Sequence, residues 1–206
     1  RVFYLGSEDR LTSEAKDWLT GQRIEILPAA MAKPMRYRLE KVGYLEEKPE
    51  HMTHLYGDVL VEKTHPRIRF RGAVDSLEAE ILLCGSQFPY LQKDLGEILA
   101  LTRKLIACEV LDEPLPEGAV LGLNQQQLRE RSHRPQDYFG QPHFMPDFSD
   151  KPAVLGLNRV RCAARAAELA AVAAVPGRTD ILRACKRLSS ALYILMIKEK
   201  ANGMNN

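Results

Sequence analysis

Three charged residues, Arg161, Arg165 and Glu168, stand at i, i+4 and i+7, so on a helix they share one face. The surrounding residues are Ala, Val and Leu. A helix so small and apolar packs on more than one side, which pushes a charged stripe into an interface or a pocket. An exposed salt-bridged face is the other reading, and spacing alone leaves both open. A second set is Lys63, His65, Arg67, Arg69 and Arg71, followed by Asp75. So many basic groups at a helix start form either a phosphate-binding lip or a solvated end, and Arg71 with Asp75 is also an i, i+4 pair.

The elements that must position these residues are mostly helical. Pro66 suits a first helical position, and Leu77 and Ile81 continue at helical spacing through about Leu83. From Tyr90 to Cys108, Leu91, Leu95, Ile98, Thr102 and Leu105 recur at steps of three and four, as in a bundle seam. Asn124 is placed to cap a short polar helix through Arg131. Pro152 opens the alanine-rich helix through about Val175, Pro176-Gly177 breaks it, and Thr179 caps a last helix reaching about Lys200, before a frayed tail at 202–206. Between them, Ser132 to Asp150 holds prolines, histidines and aromatics in a structured loop, and such loops are often functional.

The start of the chain differs. Val2 to Leu5 is short and β-prone, Thr12 caps a helix through Leu19, and Arg23 to Leu27 alternates, which predicts a small α/β unit. Pro28 to Pro49 shows no clear period and reads as a connector or an arm wrapping the main domain. The expected division is therefore 1–52, an α/β unit with its arm, and 53–206, a mainly α helical bundle.

With 29 basic against 27 acidic residues the net charge is +2, which gives no reason to expect nucleic acid or a membrane surface as partner. The basic run from Lys63 to Arg71 keeps a nucleic-acid binder as a third reading, but Asp75 and Glu168 would lie beside the path of the phosphates. No run approaches the ~18 apolar residues of a membrane span, and the first six residues lack the layout of a signal peptide, so a cytoplasmic protein is expected. The first residue is arginine rather than methionine, which leaves room for residues upstream. Cys84, Cys108, Cys162 and Cys185 are far apart in apolar stretches with no CxxC pair, and read as buried thiols in a reducing compartment.

Several motifs together resemble one family. His65-Pro66-Arg67-Ile68 with Gly72-Ala73-Val74-Asp75-Ser76-Leu77 is similar to the DPRI...YGTVDEL stretch of the ATP:corrinoid adenosyltransferases that form five-helix bundles. Arg161-Cys162-Ala163-Ala164-Arg165-Ala166-Ala167-Glu168 resembles their RxxxRRxE helix, and Arg187-Leu188-Ser189-Ser190 their NRLSD helix. The ethanolamine-utilisation branch is closer, at Thr53-His54-Leu55, at Ser132-His133-Arg134-Pro135, at Tyr138 with His143, and at Arg187 to Tyr193. Its N-terminal unit is similar to Arg10-Leu11-Thr12-Ser13 with Arg23-Ile24. The resemblance covers roughly Thr53 to Lys200.

It implies a five-helix-bundle adenosyltransferase that moves the 5′-deoxyadenosyl group of ATP to Co(I) cobalamin, with Mg²⁺ on the phosphates and ethanolamine ammonia-lyase as the enzyme supplied. By position it makes Arg161 and Arg165 the phosphate-facing groups, Asp75 the acid that meets Arg161 across a subunit boundary, and Glu168 the helix's acidic member. Lys63, Arg67 and Lys186 fall near the nucleotide. Tyr138, Phe139 and Phe144 are the aromatic group available to wall the corrin, with Phe148 beside them, and Phe139 or Phe144 is the expected wedge beneath it. A homo-oligomer follows, a trimer by resemblance, with a bacterial microcompartment or the ammonia-lyase as further association. Ala166 replaces the second arginine of the RR pair, Lys186 replaces the asparagine of NRLSD, and the glycine-rich phosphate loop is not evident. Those departures keep open an adaptor that has the fold without the catalysis. Some members of the branch carry a CCxxC cluster, but Tyr44 to Met52 contains no cysteine, so no structural transition metal is expected, although His51, His54 and His65 would be the residues to cluster.

Overall fold

The computed structural model describes residues 2–31, 37–41 and 43–202, in two compact units, 1–68 and 69–206. Part of the expected connector, 32–36 and 42, and the tail residues 203–206 lie outside the described residues.

In the first unit, β1 (Val2–Leu5) and β2 (Glu25–Pro28) pair in parallel, joined by helix α1 (Ser13–Gly21). Thr12 caps α1, its side chain accepting from the Ala15 N–H at 3.2 Å. The stretch read as an arm instead supplies strands: β3 (Tyr37–Leu39) and β4 (Tyr44–Leu45) form an antiparallel pair, and β4 lies against β1. Gly43 holds a φ of +99°, and a Cβ there would meet the Phe3 ring at 1.8 Å, so only glycine fits this turn. A second hairpin, β5 (Met52–Tyr56) and β6 (Val59–Glu62), turns at Gly57 with φ +51° and joins β3 through β6. The sheet order is β2-β1-β4-β3-β6-β5.

Alternation sends Phe3, Leu45, Met52 and Leu60 to one face, where Leu19 and Ile24 cover them, and Leu55, Val59 and Val61 to the other, with Ile68. The expected division at 52/53 thus moves to 68/69. Thr53 to Glu62 is needed as a hairpin to extend the sheet before the helices begin.

The second unit is helical. Its helices are α2 (Pro66–Gln87, whose first turn counts with the first unit), α3 (Gln92–Leu111), α4 (Gln125–His133), α5 (Pro135–Phe139), α6 (Pro152–Ala174) and α7 (Thr179–Ala201). Asn124 starts α4 with a full capping box to Gln127. Thr179 is the first residue of α7 rather than its cap, which is Arg178. The central helix is α7, packed against α3, α4, α5 and α6, with twelve of its residues buried. Alanines at 164, 167 and 171 on α6 and at 184 and 191 on α7 are buried and let these two backbones approach closely. No helix among the described residues is long and apolar enough to cross a membrane.

Charged pairs join the helices. Arg71 on α2 meets Glu109 on α3 at 2.8 Å, with the Glu109 side chain 0% exposed. Glu78 meets Arg103 at 2.9 Å, and Glu80 meets Arg159 on α6 at 2.7 Å. Before α7, Arg178 grips Asp180 and Asp112. The Asp180 carboxyl is held well below the usual carboxylate range, chiefly by the hydrogen bond from Arg178, with the Leu115 and Ile181 N–H groups adding to it against the opposing effect of burial. Because the folded value lies below that of the unfolded chain, this carboxylate stabilises the fold fully above about pH 4, and the contribution fades as pH falls further. Asp180→Asn is therefore expected to be less stable than the parent at pH 7, with the gap narrowing toward pH 3. Urea midpoints at the two pH values check this.

Candidate functional site

The candidate site is built on α6 and the α7 face it packs against. Arg161 is half-buried; its Nε and Nη2 donate to Asn158 Oδ1 at 3.3 and 2.9 Å, one turn earlier on the same helix. Its guanidinium lies over the Tyr193 ring of α7, 5.9 Å from the centroid, a cation–π arrangement. Asn158 supplies an amide oxygen rather than a charge. Arg165 is exposed and makes no ion pair among the described residues. Glu168 is half-buried, and its negative charge acts on Cys185 and Arg187 of α7.

Arg187 is 7% exposed, and its Nη1 has no hydrogen-bond partner among the described residues. Its pKa is lowered first by burial and then by the like charge of Arg129, with Glu168 opposing the shift. Lys186 beside it is exposed. Asp75 is exposed on α2 and has no ion pair among the described residues, so within one chain it does not meet Arg161. In the first unit, Lys63 is exposed in the turn after β6, and Arg67 donates its backbone N–H to His65 Nδ1 at 3.2 Å. His65 also stands 3.5 Å from Glu40.

The aromatic segment divides. The Tyr138 hydroxyl donates to Glu130 and its ring lies under Arg131. Phe139 and Phe144 pack partly buried against the bundle core. Met145 and Phe148 project fully, at 89% and 107% exposure. His143 and Phe144 both reach Tyr193. Asn158, Arg187 as a buried charge, and Tyr193 are the residues that sequence reading did not assign. Asn158 was within reach at i, i+3 from Arg161, whereas Tyr193 meets Arg161 only through the crossing of two helices. Among the described residues no group of three or more His, Cys, Asp or Glu could hold a metal ion.

One expectation is corrected. Cys162 is exposed, while Cys84, Cys108 and Cys185 are buried. Its alanine neighbours made it read as core, but its helical phase puts it with Leu155, Arg159, Ala166 and Leu169 on the outward side of α6. Burial, followed by Glu168, pushes the Cys185 thiol up to about 12, and burial with Glu80 raises Cys84. An aromatic disulfide reagent is thus expected to titrate no more than one thiol promptly in the native protein and all four after denaturation. Two or more fast thiols would contradict this packing.

The family profile described as Cobalamin adenosyltransferase matches residues 43–199. The chain is 33% identical over 162 residues to the corrinoid adenosyltransferase EutT of Salmonella typhimurium and 32% identical over the same length to that of Escherichia coli K12. Each alignment covers 73% of this chain and 59% of the relative, so the chain spans less than two thirds of the length of the curated relatives it matches. No solved structure gives a significant match. The profile covers the arginine stripe of α6, the α7 face beneath it and the aromatic segment that precedes α6, and the chain accordingly belongs to the cobalamin adenosyltransferase family.

Proposed function

We propose that this chain transfers the 5′-deoxyadenosyl group of ATP to Co(I) cobalamin, making adenosylcobalamin for an ethanolamine ammonia-lyase. The observation that carries this reading is the pair Arg161 and Arg165, on the helix within the family match, with no carboxylate against either among the described residues. In the reaction the electron pair of the reduced cobalt forms the bond to C5′ as the C5′–O bond breaks, and the triphosphate leaves with the released pair. Negative charge grows on the departing oxygens, where fixed guanidiniums stabilise it. Arg161 and Arg165 take that role, with Lys186 of α7 toward the nucleotide. Glu168 offers the Arg187 guanidinium a partial counter-charge.

A magnesium ion on the polyphosphate is held mostly by phosphate oxygens and water and asks for one or two protein carboxylates at most, a demand that Glu168 beside the arginines suits. Tyr138, Phe139 and Phe144 form the wall offered to the corrin. Asp75, exposed and without an ion pair in its own chain, pairs with Arg161 of another copy in a homo-oligomer, a trimer by resemblance. Exposed Leu82 on α2 and Leu155, Leu169 and Val172 on α6 support that assembly. The protein works in the cytoplasm, with a microcompartment around the ethanolamine enzymes as its further location.

The test is incubation with ATP, magnesium and chemically reduced cobalamin while the visible spectrum is followed. The adenosylated product is expected, and its absence under conditions that keep Co(I) reduced would overturn the reading. Sedimentation as a monomer would remove the intersubunit part alone.

A further inference from the structure

Tyr193 stands where four elements meet. Its ring lies beneath the Arg161 guanidinium of α6. Its hydroxyl is 3.1 Å from His143 Nδ1 and accepts from the Phe144 backbone N–H at 3.4 Å. The His143 Nε2 lies 3.1 Å from the His133 carbonyl at the end of α4, and a carbonyl only accepts. In the neutral imidazole the proton therefore sits on Nε2, which leaves Nδ1 to receive the Tyr193 O–H. The His143 and Phe144 rings both stack on Tyr193, with centroids 5.8 and 6.1 Å away.

Seven residues along α7 and on the same face, Lys200 lies 5.1 Å over the Phe144 ring and pairs with Asp150. The loop from Gly140 to Lys151 is thus tied to α7 at two heights, with Met145 and Phe148 projecting between the ties. Of these ties, the one at Tyr193 also touches the arginine that faces the phosphates.

We infer that Tyr193 is a positioning residue that couples the two halves of the site. Its ring fixes Arg161 for the polyphosphate, and its hydroxyl fixes the loop that carries the aromatic residues. The inference rests on the proposed reading of Arg161 as a phosphate ligand. An anion that draws Arg161 into one rotamer over the ring also holds the ring, and with it the hydroxyl that orders His143 and Phe144. Coupling of this kind is reciprocal, so whatever orders the loop tightens anion binding by the same factor.

The experiment uses inorganic triphosphate as probe, with its affinity measured by calorimetry and amide exchange followed over residues 141–149 with and without it. In the parent protein, triphosphate is expected to slow exchange at His143 and Phe144 by about fivefold or more. Tyr193→Phe keeps the ring and loses the hydroxyl. It is expected to lose that protection and, by the same reciprocity, to bind triphosphate more weakly by a matching factor of about five, an equality that a purely structural role would not give. His143→Ala, at an exposed position, should lose the protection as well, and His143→Gln, which keeps an acceptor and a donor, should restore it. Tyr193→Leu removes the ring and should weaken triphosphate binding itself.

Full protection in Tyr193→Phe, or parental affinity in Tyr193→Leu, overturns the coupling. If the parent makes adenosylcobalamin and binds triphosphate normally in that case, only this inference falls. A parent that binds no triphosphate overturns both it and the phosphate role of Arg161.

Discussion

Replacement of Arg161 by alanine is expected to lower turnover by about 10²–10³-fold, the loss seen when one fixed donor to a developing oxyanion is removed, roughly 2.7–4 kcal/mol. The side chain is well placed for such an effect. Within the chain Asn158 and the Tyr193 ring hold the guanidinium through neutral contacts, and the carboxylate proposed from another copy can occupy only part of its five-donor fork, which leaves N–H groups for the phosphates of the proposed reaction. The loss should fall mainly on kcat, because the charge it meets develops as the C5′–O bond breaks. Lysine at this position keeps a positive charge but not the planar fork, and is expected to recover only part of the rate. Arg165→Ala should act in the same direction. Near-parental kinetics in both alanine variants would mean that the stripe on α6 is an ordinary solvated face.

The largest effect on stability is expected from Arg71→Ala. Glu109 is fully enclosed within the bundle, and the guanidinium at 2.8 Å faces its carboxylate. Removing one member of a buried pair takes away a large part of what offsets the desolvation of the other, typically at about 3–5 kcal/mol. The midpoint of urea unfolding, followed by helical circular dichroism, should move down accordingly. A shift under about 1 kcal/mol would show that the carboxylate is satisfied without Arg71.

Residues whose partners are close in sequence were legible before any coordinates. Thr12 and Asn124 cap helices because their side chains reach N–H groups three residues on, and Pro66 and Pro152 open helices because a first turn needs no N–H from them. The stripe of Arg161, Arg165 and Glu168 is likewise a local matter of helical phase.

What could not be read depends on distant partners. Tyr37–Leu39 and Tyr44–Leu45 are too short to show a period, and they become strands only because β6 and β1 are there to pair with them. Thr53-His54-Leu55 reads as a motif, but its continuation to Val59 to Val61 around Gly57-Asp58 is also a hairpin signal. The joint at Tyr193 needed the crossing of α6 over α7 and the return of the loop to the same face, neither of which is encoded within a few residues.

The central place of α7 also bears on how the protein is made. Every helix it packs against precedes it in the chain, so the second unit has no complete core until Thr179 to Ala201 has left the ribosome. At synthesis rates of roughly 5–20 residues per second, α3 and its neighbours wait on the order of ten seconds with apolar faces uncovered. The first unit needs no such wait, since its strands pair among themselves. A chain interrupted inside α7 would therefore carry one folded unit and one adhesive remainder, a natural client for chaperones.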